Sequence, residues 1–236
     1  MSNFVHYKID EKHLLITINN GKANAISNKV IDELSTCLDI ALSNKKIVII
    51  TGEGEIFSAG YDLKTMTQSP NSAKELVTKG SNLALKMLSF PLPIIIACNG
   101  HAIAKGALLL LACDYRIGVK GDFKIGLNEV AIGMTMHHFG IEITKARLAP
   151  VFFERSVSNA EIYNSETAVT AGFLDEIVLK NELLPTAIKL ANQFSKLNLQ
   201  AHANTKLKLR KPYIEAIKKA ITLDLKENIH INLPSK

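Results

Sequence analysis

Two stretches limit what this 236-residue chain can fold into: "KIVIITGEG" (46–54) and "PLPIIIACNG" (91–100). Each is an apolar run of strand length that closes on a glycine turn. Neither offers a polar side, so each reads as a buried strand, ending at Gly52 or Gly100. A helix pattern follows each turn. The first is "ELVTKGSNLALKML", reached across a polar stretch, "TMTQSPNSAKE", that reads as a mobile loop; the second is "GALLLLACDY". Buried strands alternating with helices give an α/β architecture.

The flanking segments fit around that core. "FVHYKID" and "HLLITINN" read as a strand pair joined around Glu11–Lys12. "SNKVIDELSTCLDIALSN" starts on a capping Ser27 and repeats apolar residues at helical spacing (Val30, Ile31, Leu34, Leu38, Leu42). Helices dominate after Glu142, and "AGFLDEIV" returns briefly to the main body. Residues 200–229 read as amphipathic helices whose apolar faces need the body or another subunit. The expected division is a core over 1–180 and a helical C-terminal region over 181–236.

The composition, 47% hydrophobic with charges spread along the chain, is that of an ordinary soluble globular protein. The start, "MSNFVHYKID", lacks a secretory pattern, and the runs "PLPIIIAC" and "GALLLLAC" are too short for a bilayer. The end, "NLPSK", is not a peroxisomal address, so a cytoplasmic location without membrane association is expected. Cys37, Cys98 and Cys113 form no C-x-x-C pair and no metal-spaced cluster; buried thiols and no metal are expected. The net charge of +6 is concentrated in residues 205–220. A solvated helix face is the first reading, and a phosphate-rich ligand or nucleic acid the functional ones. No aromatic–basic interleaving accompanies the charge, so nucleic acid is not expected.

Three short segments carry possible chemistry. In "IFSAGYDLKTM" (56–66), Ser58, Ala59 and Gly60 let the backbone approach a ligand, and the N–H groups that follow can point into a cleft. In "NGHAIAKGALLLL" (99–111) a turn feeds a helix start, where N–H groups are free. Taken alone, each is a strand–turn–helix connection, and neither spacing matches a phosphate loop or dinucleotide fingerprint. In "FKIGLNEVAIGMTMHHFG" (123–140) one acid, Glu129, stands in a mostly apolar stretch, where an unpaired charge is costly. The bland reading is an acid satisfied by backbone donors at a loop or helix end. The adjacent His137 and His138 read as polar surface or cap residues opening a helix.

Together these segments resemble the crotonase (enoyl-CoA hydratase/isomerase) superfamily over nearly the whole chain. "NNGKANAIS" is similar to its early N-A motif, and "FSAGYDLKTM" to F-x-A-G-x-D-[IL]-K. "IIIACNGHAIAKGALLLLACDYRI" resembles the N-G-x-A-x-G-G-G helix leading to C-D, and "TAVTAGFLDEIV" the return before the C-terminal helices. The resemblance implies a crotonase-like spiral of ββα units with a C-terminal helical oligomerisation region, assembling a homotrimer or hexamer. It implies an acyl-CoA substrate, with coenzyme A as part of that substrate and no separate cofactor. The oxyanion donors fall on the N–H groups of Tyr61 and Lys105, and substrate or CoA contacts on Lys22, Ala23, Ala59, Gly60, Asp62, Leu63 and Asn128. The basic C-terminal helix becomes a further partner for CoA phosphates. Lys105 stands where the family usually has glycine; only proline would remove the N–H. Its side chain must leave the acyl channel, or contact the thioester or a phosphate.

Members resembling hydratases carry two glutamates. Here the first position is Leu108, which cannot hold water, and the second is Glu129. One acid suits a proton shuttle, so the expectation is a Δ3,Δ2-enoyl-CoA isomerase with Glu129 as base, in unsaturated fatty-acid oxidation. The alternatives are an enoyl-CoA hydratase or other crotonase-type reaction, and a non-catalytic ligand- or RNA-binding protein of that fold. Asp114 reads as structural, Asp62 as a turn former, and residues 66–72 as shaping the acyl pocket.

Overall fold

The structure, a computed structural model, describes residues 3–227; the first two residues, the closing "NLPSK" and the end of the last amphipathic stretch lie outside the described residues. Strands β1 (Val5–Ile9) and β2 (His13–Ile18) pair antiparallel around Glu11–Lys12. From β2 the main sheet continues in parallel through β3 (Ile47–Gly52), β5 (Ile94–Cys98), β7 (Tyr115–Val119) and β10 (Glu176–Val178).

The two isoleucine-rich runs are β3 and β5. They are apolar throughout because both faces of the sheet are covered. Val48, Ile50, Ile94 and Ile96 join the larger core with α1 (Asn28–Ser43), α3 (Pro70–Leu88) and α4 (Lys105–Leu111). Ile47, Ile49, Ile95 and Ala97 point the other way, onto Leu183, Ala187 and Ala191 of α8 (Leu183–Phe194).

A second sheet orders β4 (Ile56–Ser58), β6 (His101–Ile103), β8 (Ile125–Gly126) and β9 (Ile162–Tyr163), the first three parallel. The chain therefore runs strand, turn, strand, helix three times: β3–β4 into α2 (Leu63–Gln68) and α3, β5–β6 into α4, and β7–β8 into α5 (His138–Arg147). This is the spiral of ββα units, and it corrects the simpler strand–turn–helix reading. Strands of two or three residues are too short to show a period. Asn99 locks two rounds together: its Oδ1 accepts from Gly52 N–H at 2.9 Å, and its Nδ2 donates to Gly54 O at 3.0 Å.

Two further expectations change. "TMTQSPNSAKE" is not a loop but the end of α2 and the start of α3, broken at Ser69. The Ser69 hydroxyl accepts from Ser72 N–H, and Pro70 stands at the first helical position, so a new helix starts at once. The final stretch is one helix, α9 (Leu199–Asp224), not several. Pro212 removes one backbone bond from it, but packing on α3 and α5 holds it straight through. Between α5 and α8 the chain forms α6 (Pro150–Val157), β9, α7 (Ser165–Ala171) and β10, the expected return to the sheet.

The basic segment of α9 is also not wholly a solvated face. Lys206 and Arg210 turn inward, each 2.9 Å from the Asp114 carboxylate. They are thereby removed as partners for CoA phosphates. Asp114 is structural: it also accepts from Ile94 N–H at 2.7 Å, tying the start of β5 to α9. The three cysteines are buried and free. Among the described residues no helix is long and apolar enough to cross a membrane, and no three His, Cys, Asp or Glu side chains converge as a metal site.

Candidate active site

Neighbouring parallel strands open their carboxyl ends on the same edge, which is where ligands gather in such sheets. In the second sheet those ends belong to β4, β6 and β8. The residues that follow are Ala59–Gly60–Tyr61, Ala104–Lys105 and Leu127–Asn128–Glu129. Ala59, Tyr61, Ala104, Asn128 and Glu129 line one cavity of about 140 Å³, closed by Leu63 and Met66 of α2 and by Ile132 and Met134. Each of the three rounds thus supplies one loop to one site.

The first two loops present backbone donors. Gly60 O accepts from Ile26 N–H (2.8 Å) and Asp62 N–H donates to Ile26 O (3.1 Å), which turns the intervening Tyr61 N–H away from Ile26. Gly60 has φ +104, and a Cβ there would lie 3.0 Å from the Ala104 Cβ and 3.6 Å from Lys105 N. Glycine is what lets the two loops approach. Ala104 itself holds φ 51, a strained conformation worth about 1–3 kcal/mol. It is fixed by its N–H donating to Gly126 O at 2.9 Å and its carbonyl accepting from Leu108 N–H at 3.0 Å. The strain starts α4 at Lys105, leaving that N–H free as the first of a helix.

The third loop presents the acid. Glu129 is 4% exposed and begins a short 3-10 turn over Val130–Ile132, but its side chain caps nothing. Its Oε2 has no hydrogen-bond partner among the described residues, nor has Asn128 Oδ1. Burial pushes the carboxyl up to about 7, against the opposing pull of its own N–H, the Lys105 charge and the Asn128 N–H. An acid satisfied by backbone donors would have moved the other way. The arrangement pairs a carboxyl able to exchange a proton near neutrality with two N–H groups able to grip an oxyanion.

A family model described as enoyl-CoA hydratase/isomerase matches residues 9–232. The chain belongs to the enoyl-CoA hydratase/isomerase family. A solved structure of an enoyl-CoA hydratase/isomerase family protein from Pseudomonas syringae is 52% identical, with TM-score 0.94 over 95% of this chain and 98% of that one. Human mitochondrial Δ3-Δ2-enoyl-CoA isomerase is 25% identical, with TM-score 0.89 over 94% of this chain and 89% of that one. A probable enoyl-CoA hydratase of Bacillus subtilis is 38% identical over 136 residues, 56% of this chain. That match spans 52% of the relative, about half its length. The family acts on acyl-CoA substrates, and the names of its members divide between hydratase and isomerase.

The remaining residues expected at a family site fall around the cavity in different ways. Ala59 N–H donates to Ala23 O at 3.0 Å, joining the Lys22–Ala23 segment to the first loop. Lys22 lines a separate open groove with Glu55 and His101 on the same side. Asp62 caps α2, its Oδ2 accepting from Thr65 N–H at 2.9 Å, as a turn former should. Leu63 lines the cavity while being 56% exposed at its mouth. Leu108 is fully buried in the core and lines no part of the cavity.

Sequence reasoning passed over Ile132 and Met134; the apolar "VAIGM" after Glu129 was the available signal. Ala104 carried none, since nothing in an alanine announces positive φ. The two histidines separate: His138 is partly exposed and pairs with Glu227 at 3.0 Å. His137 is neither surface nor cap. It is 7% exposed, stacks on Phe139, and both ring nitrogens lack partners among the described residues.

Proposed function

We propose that this protein moves the double bond of a 3-enoyl-CoA to the 2-trans position, with Glu129 carrying the proton. The observation that bears most weight is that Glu129 is the one carboxyl side chain lining the cavity, buried and with a free oxygen. The Glu129 carboxylate takes a proton from C2. The electrons pass into a dienolate whose thioester oxygen is held by the Tyr61 and Lys105 N–H groups. The protonated Glu129 then returns the proton to C4, closing the balance without water. Each oxyanion donor contributes about 3–4 kcal/mol to such a transition state. The Asn128 amide is in place to contact the acyl portion, and Lys22, Ala23, Ala59, Gly60, Asp62 and Leu63 form the side from which the CoA moiety enters.

Hydration is the second reading, favoured by the hydratase names among relatives. It needs a water held opposite Glu129, and the position that would hold it is the buried Leu108. The test follows 3-hexenoyl-CoA conversion by absorbance of the conjugated product, beside water addition to 2-hexenoyl-CoA. Isomerisation without appreciable hydration, falling about 10²–10⁴-fold in Glu129→Gln, is the expected result. Since the carboxylate form is the base, kcat/KM should rise with pH through about 7 and then level. Rapid hydration, or isomerisation that survives Glu129→Gln, would overturn the reading.

A further inference from the structure

The proposed reaction uses only the backbone of Lys105 and leaves its side chain without a task. That side chain is 0% exposed and runs away from the cavity. Its ammonium donates to Gly80 O on α3 at 2.7 Å. Its other neighbours are ring faces, with centroids 4.9 Å away at Phe139 and 5.6 Å at Tyr61. One carbonyl and two rings are little to set against the desolvation of a charge with three donors. A methionine would fill the same space at no such cost, so the charge needs a reason.

The groups around it narrow that reason. From α3 come the Gly80 carbonyl and Ser81, which is buried. From the first loop comes Tyr61, whose phenol burial keeps neutral. From the start of α5 comes His137, whose imidazole burial pushes down to about 3, so it too is neutral. Asp224 on α9 is engaged by the His138 and Phe139 N–H groups at 2.7 and 2.9 Å. The charge that acts on the Lys105 amine is Glu129.

We propose that Lys105 is a positioning residue acting through Glu129: its buried ammonium is the countercharge that keeps the carboxylate ionised inside an apolar cavity. This rests on the isomerase reading only for its kinetic consequence. Glu129 Oε2 has no partner, so the lysine acts on it through space, where low dielectric makes a charge felt. The titrations agree. Burial pulls the amine down to about 7 and Glu129 opposes it; burial pushes the carboxyl up to about 7 and Lys105 opposes it. Removing either partner moves the other further from its ordinary value.

The test measures both directions of that coupling, which must match. In Lys105→Met, the acid limb of kcat/KM moves up by about one pH unit or more, so activity at neutral pH falls about tenfold. The loss disappears at alkaline pH, where the carboxylate is ionised unaided. A merely structural role would lower activity equally at every pH, and that result would overturn the proposal. The second arm needs neither turnover nor that variant. In Glu129→Gln, the Lys105 side-chain carbon resonance, followed by NMR, titrates at lower pH than in the unaltered protein. Unchanged lysine titration would sink the idea even if isomerisation is confirmed. A shifted titration in a protein that does not isomerise would keep the pair and reject the reaction.

Discussion

Replacing Asp114 by asparagine tests how α9 is held to the core. The carboxylate is 8% exposed and meets Lys206 and Arg210 at 2.9 Å each, with their side chains 4% and 5% exposed. At an effective dielectric of about 20, a unit pair at that distance gains about 6 kcal/mol, so two cations gain roughly twice that before desolvation is counted. Desolvation of three buried charges cancels most of it. What survives is the asymmetry. Asparagine leaves two cations buried without a counterion, a loss of about 3–5 kcal/mol. Lys206, whose amine burial already depresses, can shed its proton and recover part. Arg210 cannot. Urea unfolding at fixed protein concentration, followed by far-ultraviolet circular dichroism, reads the difference. The combined variant Asp114→Leu, Lys206→Met, Arg210→Met should be close to unaltered stability or above it. A cost below about 1 kcal/mol for Asp114→Asn would refute the reasoning, because it would mean water already screens the cluster.

Two other outcomes follow from geometry and burial. Gly60→Ala forces a residue at φ +104 and sets its Cβ 3.0 Å from that of Ala104. It should spread the two donor loops and lower kcat on the order of 10²-fold with the circular dichroism spectrum unchanged, and near-normal turnover would count against Tyr61 and Lys105 as donors. His137 is held neutral down to about 3, whereas in the unfolded chain it protonates near 6.5. The unfolded state then binds the extra proton, so stability is complete above about 6.5 and falls as pH drops toward 3. Between pH 8 and 5 the loss from this residue is about 2 kcal/mol, and His137→Phe should lack it in urea titrations at the two pH values.

Much of the fold was legible because a few residues have only one use. β3 and β5 announced themselves by having no polar side, and Ser27 marked the start of α1 by accepting from Val30 N–H. The second sheet was hidden in strands too short for a pattern, although it builds the site. Glu129 stood out as a lone acid, and its burial and free oxygen agree with that. The inward turn of Lys206 and Arg210 was invisible from sequence, since a basic helix reads as solvated until Asp114 is seen beneath it. The side chain of Lys105 posed three alternatives to the sequence, and the packing of Gly80, Tyr61 and Phe139 selects departure from the acyl channel.

The order of β4 and β6 also fixes a length. Adjacent strands lie about 4.8 Å apart. Two nitrogens at that separation, each about 2.9 Å from a shared oxygen, subtend roughly 110° at it, close to the directions of its lone pairs. The grip on a thioester oxygen is then set by the pitch of a hydrogen-bonded sheet, with no side chain entering the calculation. A tyrosine and a lysine can hold those two positions without altering the bite, and their side chains are released for other duties.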